Sequence, residues 1–127
     1  MDVLKNQKTD FKEIIYEKSN WVARITINRP QVYNSYSTNA LEELATAFRQ
    51  AAFDDEVAVI VYTGMGDKAF CTGGDVKEYQ ERYTRSPHDY WKYMRLFGAY
   101  IESIVNTGKP VVARINGMAV GGGNESN

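Results

Sequence analysis

Apolar and polar residues alternate near the start of the chain, which is typical of strands with one buried face. The pattern predicts two strands, Phe11–Glu17 and Trp21–Ile27, joined by a turn at residues 18–20. The odd-numbered positions of the second strand, from Trp21 to Ile27, are expected to face the core. Asn28-Arg29-Pro30 is expected to end the ladder, because proline has no N–H to donate.

Apolar residues then recur with a helical period. Asn39–Phe53 is predicted to be a helix with one apolar stripe, and Asn39 with Glu42 is interpreted as its capping box. Pro87–Asn106 is the second long helix, with Ser86 as its N-cap. A short helix is expected to run from Asp75 to about Tyr83.

Short, continuously apolar runs predict two further strands, buried on both faces, at Val57–Tyr62 and Val111–Ile115. The order β-β-α-β-α-β predicts an α/β fold with a mostly parallel sheet. Ligands bind beyond the carboxyl ends of such strands. A glycine-rich cluster follows each of them, at Ala69–Asp75 and Asn116–Glu125. The clusters are expected to lie side by side and to form one site.

Composition narrows the class of protein. The 127 residues suit one domain, taken as a polar N-terminal extension at 1–10 and a folded part at 11–127. Net charge is −1, which gives no support for a nucleic-acid partner, and no apolar run suits a membrane span. A single cysteine, Cys71, fits a reducing compartment, so a cytoplasmic location is expected.

The glycine clusters carry the strongest chemical signal. Glycine leaves its N–H unshielded, and two such groups aimed at one point would bind a carbonyl oxygen that gains negative charge. Glu125 follows Gly122 by three residues, so it could be a general acid/base or a carboxylate that stabilises a helix dipole. Either cluster taken singly could be a tight turn. Asp75 is interpreted as a helix cap in preference to a catalytic acid.

Other candidate features are weaker. Gly64-x-Gly66-x-x-Ala69 fits a dinucleotide fingerprint, although a plain turn is the preferred interpretation. Cys71 is expected to be a buried apolar residue, and the lone His88 makes no metal site. Six aromatic residues are expected to be mostly packing, and a pocket for a flat or cyclic acyl group is the alternative for some of them: Tyr79, Tyr83, Tyr90, Tyr93, Phe97 and Tyr100.

Three segments together resemble the crotonase (enoyl-CoA hydratase/isomerase) superfamily. They are Ile25–Asn34, with ITINRPQVYN, Lys68–Tyr79, with KAFCTGGDVKEY, and Ile115–Glu125, with INGMAVGGGNE. The match looks like the N-terminal half of a family member, ending abruptly at Asn127. The region around Gly74 and the aromatic segment are similar to the branch of 6-oxocyclohex-1-ene-1-carbonyl-CoA hydrolases.

The resemblance implies a crotonase-like spiral of ββα turns, apparently truncated, that binds acyl-CoA thioesters. It implies an oxyanion hole made by the N–H groups of Gly74 and Gly122, with Glu125 as a catalytic glutamate. The implied substrate-binding residues are Val32, Tyr33, Thr72, Gly73, Gly74, Asp75, Val76, Met118, Ala119, Val120, Gly121 and Gly122. It implies no metal and no cofactor other than coenzyme A within the substrate, and a homotrimer or hexamer when full length.

The expected function is therefore addition of water to an enoyl-CoA or a cyclic acyl-CoA, through a thioester enolate held in the oxyanion hole. The alternatives are a ring-opening acyl-CoA hydrolase, an isomerase of the same superfamily, or a non-catalytic acyl-CoA-binding fragment.

Overall fold

The structure, a computed structural model, describes residues 10–120. The strands are β1 Ile14–Ser19, β2 Val22–Ile27, β3 Val59–Gly64, β4 Ala69–Cys71, β5 Val111–Arg114 and β6 Met118–Ala119. The helices are α1 Thr38–Phe53, α2 Val76–Arg82 and α3 Pro87–Val105, and a short 3-10 helix covers Pro30–Val32. None of these helices is both long and apolar enough to cross a membrane.

Four strands form the main sheet in the order β1-β2-β3-β5. The β1–β2 pair is antiparallel, whereas β3 pairs in parallel with both β2 and β5. Helices α1 and α3 connect the parallel strands and pack against each other, which confirms the predicted α/β class with a mostly parallel sheet. The carboxyl ends of β3 and β5 are adjacent, as predicted.

The turn between β1 and β2 differs from its prediction. Asn20 and Trp21 have φ angles of 51° and 69°, so they form a two-residue hairpin turn in the left-handed region. Trp21 is 61% exposed and does not belong to the buried face, which begins at Ala23. The prediction was wrong because alternation was extended one residue into the turn.

The start of α1 also needs a correction. Ser37 is the N-cap, and its hydroxyl accepts a hydrogen bond from the N–H of Ala40 at 3.0 Å. Asn39 lies inside the helix and donates to Glu13 Oε2 at 2.8 Å, so the predicted Asn39–Glu42 capping box is wrong. The apolar stripe is as expected, with Leu41, Leu44 and Phe48 buried.

Helix α3 begins as predicted. Ser86 accepts a hydrogen bond from the N–H of Asp89 at 3.2 Å, and Pro87 occupies the first turn. Tyr100, near its C-terminal end, is fully buried and its hydroxyl meets that of Tyr62 at 2.5 Å. Aromatic residues from α1, β3 and α3 therefore fill the core between the helices and the sheet.

Two short strands were not predicted. The β4–β6 pair is parallel and forms a second, two-stranded sheet. Strands of three and two residues are too short to show a period in the sequence. Because Ala69–Cys71 is a strand, no helix opens after Gly64 and Gly66, and the dinucleotide fingerprint is excluded in favour of the plain turn.

Candidate active site

The two glycine-rich segments meet through β4 and β6. Ala69 is opposite Met118, Cys71 is opposite Ala119, and the N–H of Val120 donates to the carbonyl of Cys71 at 3.2 Å. The predicted binding residues Met118, Ala119 and Val120 thus lie beside the strand that leads into residues 72–76. Gly121, Gly122 and Glu125, also predicted as site residues, lie outside the described residues.

Gly74 is held by a parallel bridge to Tyr36. The N–H of Tyr36 donates to the carbonyl of Gly73 at 2.9 Å, and the N–H of Asp75 donates to the carbonyl of Tyr36 at 3.0 Å. In a parallel pair, the residue between those two partners turns its own N–H and C=O to the other side. The Gly74 N–H therefore points away from Tyr36, and no backbone acceptor for it is found within residues 10–120.

Asp75 fixes the segment that follows. Its Oδ1 caps α2 by accepting from the N–H of Glu78 at 3.2 Å, as predicted, and its Oδ2 lies 3.2 Å from the guanidinium of Arg29. Burial works to raise the pKa of Asp75, but the Glu78 N–H and the Arg29 charge outweigh it and hold that pKa below its usual value. Asp75 is thus an ionised anchor, tied to the loop after β2.

Two asparagines that were not predicted as site residues hold the start of β4. The side-chain amide of Asn34 donates to the carbonyl of Ala69 at 2.8 Å, and that of Asn116 donates to the same carbonyl at 3.0 Å. Asn34 is fully buried, with φ of 55°, and its Oδ1 accepts from the N–H of Arg29. An Asn-rich loop beside proline was the available signal, because Asn adopts left-handed backbone and bonds locally.

A cavity of about 330 Å³ opens beside Ala69 of β4, and we call it the polar cavity because the side chains in its wall include Gln31, Asn34, Asp67 and Lys68. It is lined by Pro30, Gln31, Tyr33, Asn34, Met65, Gly66, Asp67, Lys68 and Ala69. Tyr33, predicted near the nucleotide end of the substrate, lies at this cavity, and its carbonyl accepts from the Thr72 hydroxyl at 3.1 Å. Val32, predicted with it, is absent from the lining.

An aromatic cavity, also of about 330 Å³, lies at the other end of the segment, against Gly74. It is lined by Gly74, Val76, Tyr79, Tyr90, Tyr93 and Met94. The other three aromatic residues of the predicted segment do not line this cavity: Phe97 and Tyr100 contact Tyr36 in the core, and Tyr83 is buried against Tyr93. The segment therefore divides into residues that pack in the core and residues that line a cavity. That this cavity takes an acyl group stays a prediction.

Neither Cys71 nor His88 offers a nucleophile or base to this site. Cys71 is fully buried, as predicted, and burial raises the pKa of its thiol to about 11. His88 is exposed on α3 and stacks on Trp91. Among residues 10–120 there is no group of three or more His, Cys, Asp or Glu side chains arranged to hold a metal ion.

The chain belongs to the enoyl-CoA hydratase/isomerase family, whose model matches residues 17–126. Solved structures agree. An enoyl-CoA hydratase from Bacillus anthracis is 32% identical and superposes with a TM-score of 0.83 over 91% of this chain and 44% of its own. An enoyl-CoA hydratase/carnithine racemase from Magnetospirillum magneticum is 28% identical, with a TM-score of 0.86 over 91% of this chain and 43% of its own. The predicted crotonase fold is confirmed.

Among curated proteins, the chain is similar to 6-oxocyclohex-1-ene-1-carbonyl-CoA hydrolases. The protein of Geobacter metallireducens is 48% identical over 103 residues, and that of Thauera aromatica is 48% identical over 101 residues. These alignments cover 81% and 80% of this chain but 27% of each relative. The chain thus spans about a quarter of the length of the curated relatives that it matches, and the resemblance to this branch is confirmed.

Proposed function

We propose that the protein binds an acyl-CoA thioester and adds water to its acyl group through an enolate stabilised by backbone N–H groups. The observation that carries this proposal is the N–H of Gly74. The Tyr36 bridge turns it away from Tyr36, and Gly74 lines the aromatic cavity. A thioester enolate concentrates charge on one oxygen, and a well-aimed donor contributes about 3 kcal/mol to lowering the barrier.

We assign the second donor to Gly122 and the proton transfer to Glu125. Support comes from the β4–β6 pairing, which places Val120 against Cys71, three residues before Gly74. Gly122 follows Val120 by two residues. Each proposed donor therefore lies only two or three residues along the chain from the contact between Cys71 and Val120. Glu125 would activate water or move a proton at the carbons next to the thioester.

The polar cavity suits the coenzyme A part of the substrate. Lys68 and Gln31 line it, and a lysine ammonium attracts phosphate as a point charge. Residues Thr72–Val76 run from this cavity to the aromatic cavity, and the Thr72–Tyr33 hydrogen bond connects the two segments. We therefore propose that the nucleotide end lies near Tyr33 and that the acyl group lies near Gly74, with no metal or further cofactor.

Ring-opening hydrolysis is the more specific candidate within this class. The aromatic walls of the cavity fit a cyclic acyl group, and the two curated relatives are named as hydrolases of a cyclic acyl-CoA. Isomerisation of an enoyl-CoA requires the same oxyanion hole and remains the alternative. We further propose a cytoplasmic location, in keeping with the buried, unpaired Cys71, and a homotrimer or hexamer on the strength of the family resemblance alone.

The test uses the intact protein with 6-oxocyclohex-1-ene-1-carbonyl-CoA and follows the mass of the product. Gain of water with coenzyme A still attached would support hydration or ring opening, whereas an unchanged mass with a shifted double bond would identify an isomerase. A protein that binds the thioester without changing it would be the non-catalytic acyl-CoA-binding alternative. No binding at all would refute the proposal.

Glu125→Gln tests the proposed proton transfer. Turnover should fall by about 10²–10⁴-fold, the usual contribution of a general acid/base, while thioester affinity stays within about threefold. Glu81→Gln is the matched control, because Glu81 is an exposed carboxylate on α2, and its turnover should equal that of the wild type. Unchanged turnover in Glu125→Gln would remove Glu125 from the mechanism.

A further inference from the structure

We propose that Tyr93 determines specificity, by donating its phenol hydrogen to an oxo group on the acyl ring. The oxo group would be on the ring carbon next to the one that bears the thioester carbonyl. The ligand class is therefore a cyclic β-oxo acyl thioester. This inference rests on the proposed function, and it assigns to one side chain the choice between an oxo-substituted ring and a plain ring.

The Tyr93 hydroxyl lies directly against Gly74. A methyl group added at Gly74 would collide with the Tyr93 oxygen, while the nearest ring carbon of Tyr93 would be 3.5 Å away and that of Tyr36 would be 3.7 Å away. The polar end of the side chain, rather than its apolar face, therefore lies beside the Cα of Gly74. Tyrosine hydroxyls that are withdrawn from bulk solvent usually find a hydrogen-bond partner.

Neighbouring rings hold Tyr93 in this position. Its ring centroid is 5.1 Å from that of Tyr79 and 5.3 Å from that of Tyr83, at interplanar angles of 71° and 49°. Tyr83 is itself buried, so the ring that Tyr93 contacts there is held in the protein interior. A donor fixed before the substrate arrives costs little ordering on binding, which makes it effective in discrimination.

The hydroxyl is a neutral donor at physiological pH. Burial, and next the negative charge of Glu78, raise the pKa of Tyr93 above its usual value. Within residues 10–120 the Tyr93 hydroxyl makes no hydrogen bond, so it can donate to a ligand oxygen. Tyr90 lines the same cavity but is 48% exposed, and its ring contacts that of Tyr79 and not Gly74, which makes it the natural control.

The chemistry of the ligand matches this geometry. In a 6-oxocyclohex-1-ene-1-carbonyl thioester, the thioester carbonyl carbon and the ring carbonyl carbon are both bonded to the same ring carbon. Their oxygens can therefore lie on one side of the molecule. If the thioester oxygen accepts from Gly74, the ring oxygen then falls beside Gly74, where the Tyr93 hydroxyl lies. A site built to bond an oxygen discriminates strongly against an analogue that lacks it, because the donor is then left without a partner.

The experiment measures the affinity of the intact protein for two thioesters by calorimetry. These are 6-oxocyclohex-1-ene-1-carbonyl-CoA and cyclohex-1-ene-1-carbonyl-CoA, which differ only in the ring oxo group. All variants carry Glu125→Gln so that turnover does not interfere. Tyr93→Phe should lower the preference for the oxo thioester by about tenfold, the size of one hydrogen bond. Tyr90→Phe should leave the preference unchanged.

Three results would overturn the proposal, and they are distinguishable. An unchanged preference in Tyr93→Phe would show that its hydroxyl does not bond the ring oxygen. An equal loss of affinity for both thioesters would show a merely structural role. Failure of the parent protein to bind either thioester would refute the proposed function itself, whereas good binding with no effect of Tyr93→Phe would refute only this inference.

Discussion

The polar and aromatic cavities are equal in volume, about 330 Å³ each, but they are built in different ways. Beside the polar cavity, side-chain amides hold the backbone in place: those of Asn34 and Asn116 both donate hydrogen bonds to the carbonyl of Ala69. The aromatic cavity has walls of tyrosine rings from α2 and α3, held by edge and tilted ring contacts. Hydrogen-bonded backbone is less adaptable than ring packing, because each lost bond leaves a polar group unsatisfied.

This difference suggests a division of labour within the proposed function. The coenzyme A part is the same in every acyl-CoA, so a fixed polar cavity serves it. The acyl group varies among substrates, and a wall of side chains can change by single substitutions without disturbing the backbone. Gly74 lies between the hydrogen-bonded backbone and the wall of tyrosine rings. The bridge to Tyr36 fixes the direction of its N–H, and its Cα faces Tyr93.

The largest effect is expected at that meeting point. Gly74→Ala should lower the affinity for cyclohex-1-ene-1-carbonyl-CoA by about 10²-fold, because the new methyl group displaces the Tyr93 hydroxyl and shifts the segment. The φ angle of Gly74 is not among the positive ones, so alanine is allowed by the backbone and the collision is the only obstacle.

The double variant Gly74→Ala/Tyr93→Phe is the control for that collision. It should recover much of the lost affinity for the thioester without a ring oxo group, because phenylalanine lacks the colliding oxygen. Calorimetry on the four members of the cycle measures the coupling. Additive losses would show that the hydroxyl and Gly74 do not meet.

The next largest effect should come from the polar cavity. Asn34→Asp keeps the volume but replaces the donor to Met65 and Ala69 with a buried carboxylate facing two carbonyl oxygens. The free energy of unfolding should fall by about 2 kcal/mol, measured by urea denaturation. Asn20→Asp, in the exposed hairpin turn, is the matched control and should cost little. Equal effects of the two variants would contradict the view that the Asn34 hydrogen bonds to Met65 and Ala69 hold this backbone in place.

A smaller effect is expected where the two cavities are joined, at Asp75. A carboxyl whose pKa is lowered on folding stabilises the protein above its ordinary pKa of 3.8, and this stability is lost as the pH falls through the lowered value. Wild-type protein should therefore lose stability more steeply than Asp75→Asn on going below about pH 4. Thermal unfolding of both proteins from pH 5 to 2.5 checks this, with Asp67→Asn as the control. Parallel curves would mean that the Arg29 pair adds no stability.

The sequence predicted the elements with long periods and missed the short or locally bonded ones. The stripe on α1 and the Ser86-Pro87 start of α3 were readable, because repeated burial and capping leave a pattern in neighbouring residues. The β4–β6 pair was not readable, because the two strands are only a few residues long and their paired residues are 48 and 49 positions apart in the sequence. Trp21 was misassigned because alternation alone does not show where a turn takes over.

The sequence offers candidate residues for the site but does not show which residues support them. Gly74 and Asp75 were identified from the glycine cluster and the cap, which are local signals. The shared attachment of Asn34 and Asn116 to one carbonyl depends on three segments meeting in space, and no single segment encodes it. The contact of Tyr93 with Gly74 is of the same kind, because helical spacing shows which face a tyrosine occupies but not what its hydroxyl reaches.

The central claim is that the Gly74 N–H binds the thioester oxygen, and amide NMR tests it most directly. The intact protein is labelled with ¹⁵N-glycine and titrated with an acyl-CoA thioester and with the matching thioether, which lacks the carbonyl oxygen. The Gly74 amide proton should move downfield with the thioester and much less with the thioether. Equal shifts with both ligands, or none with either at saturation, would contradict it.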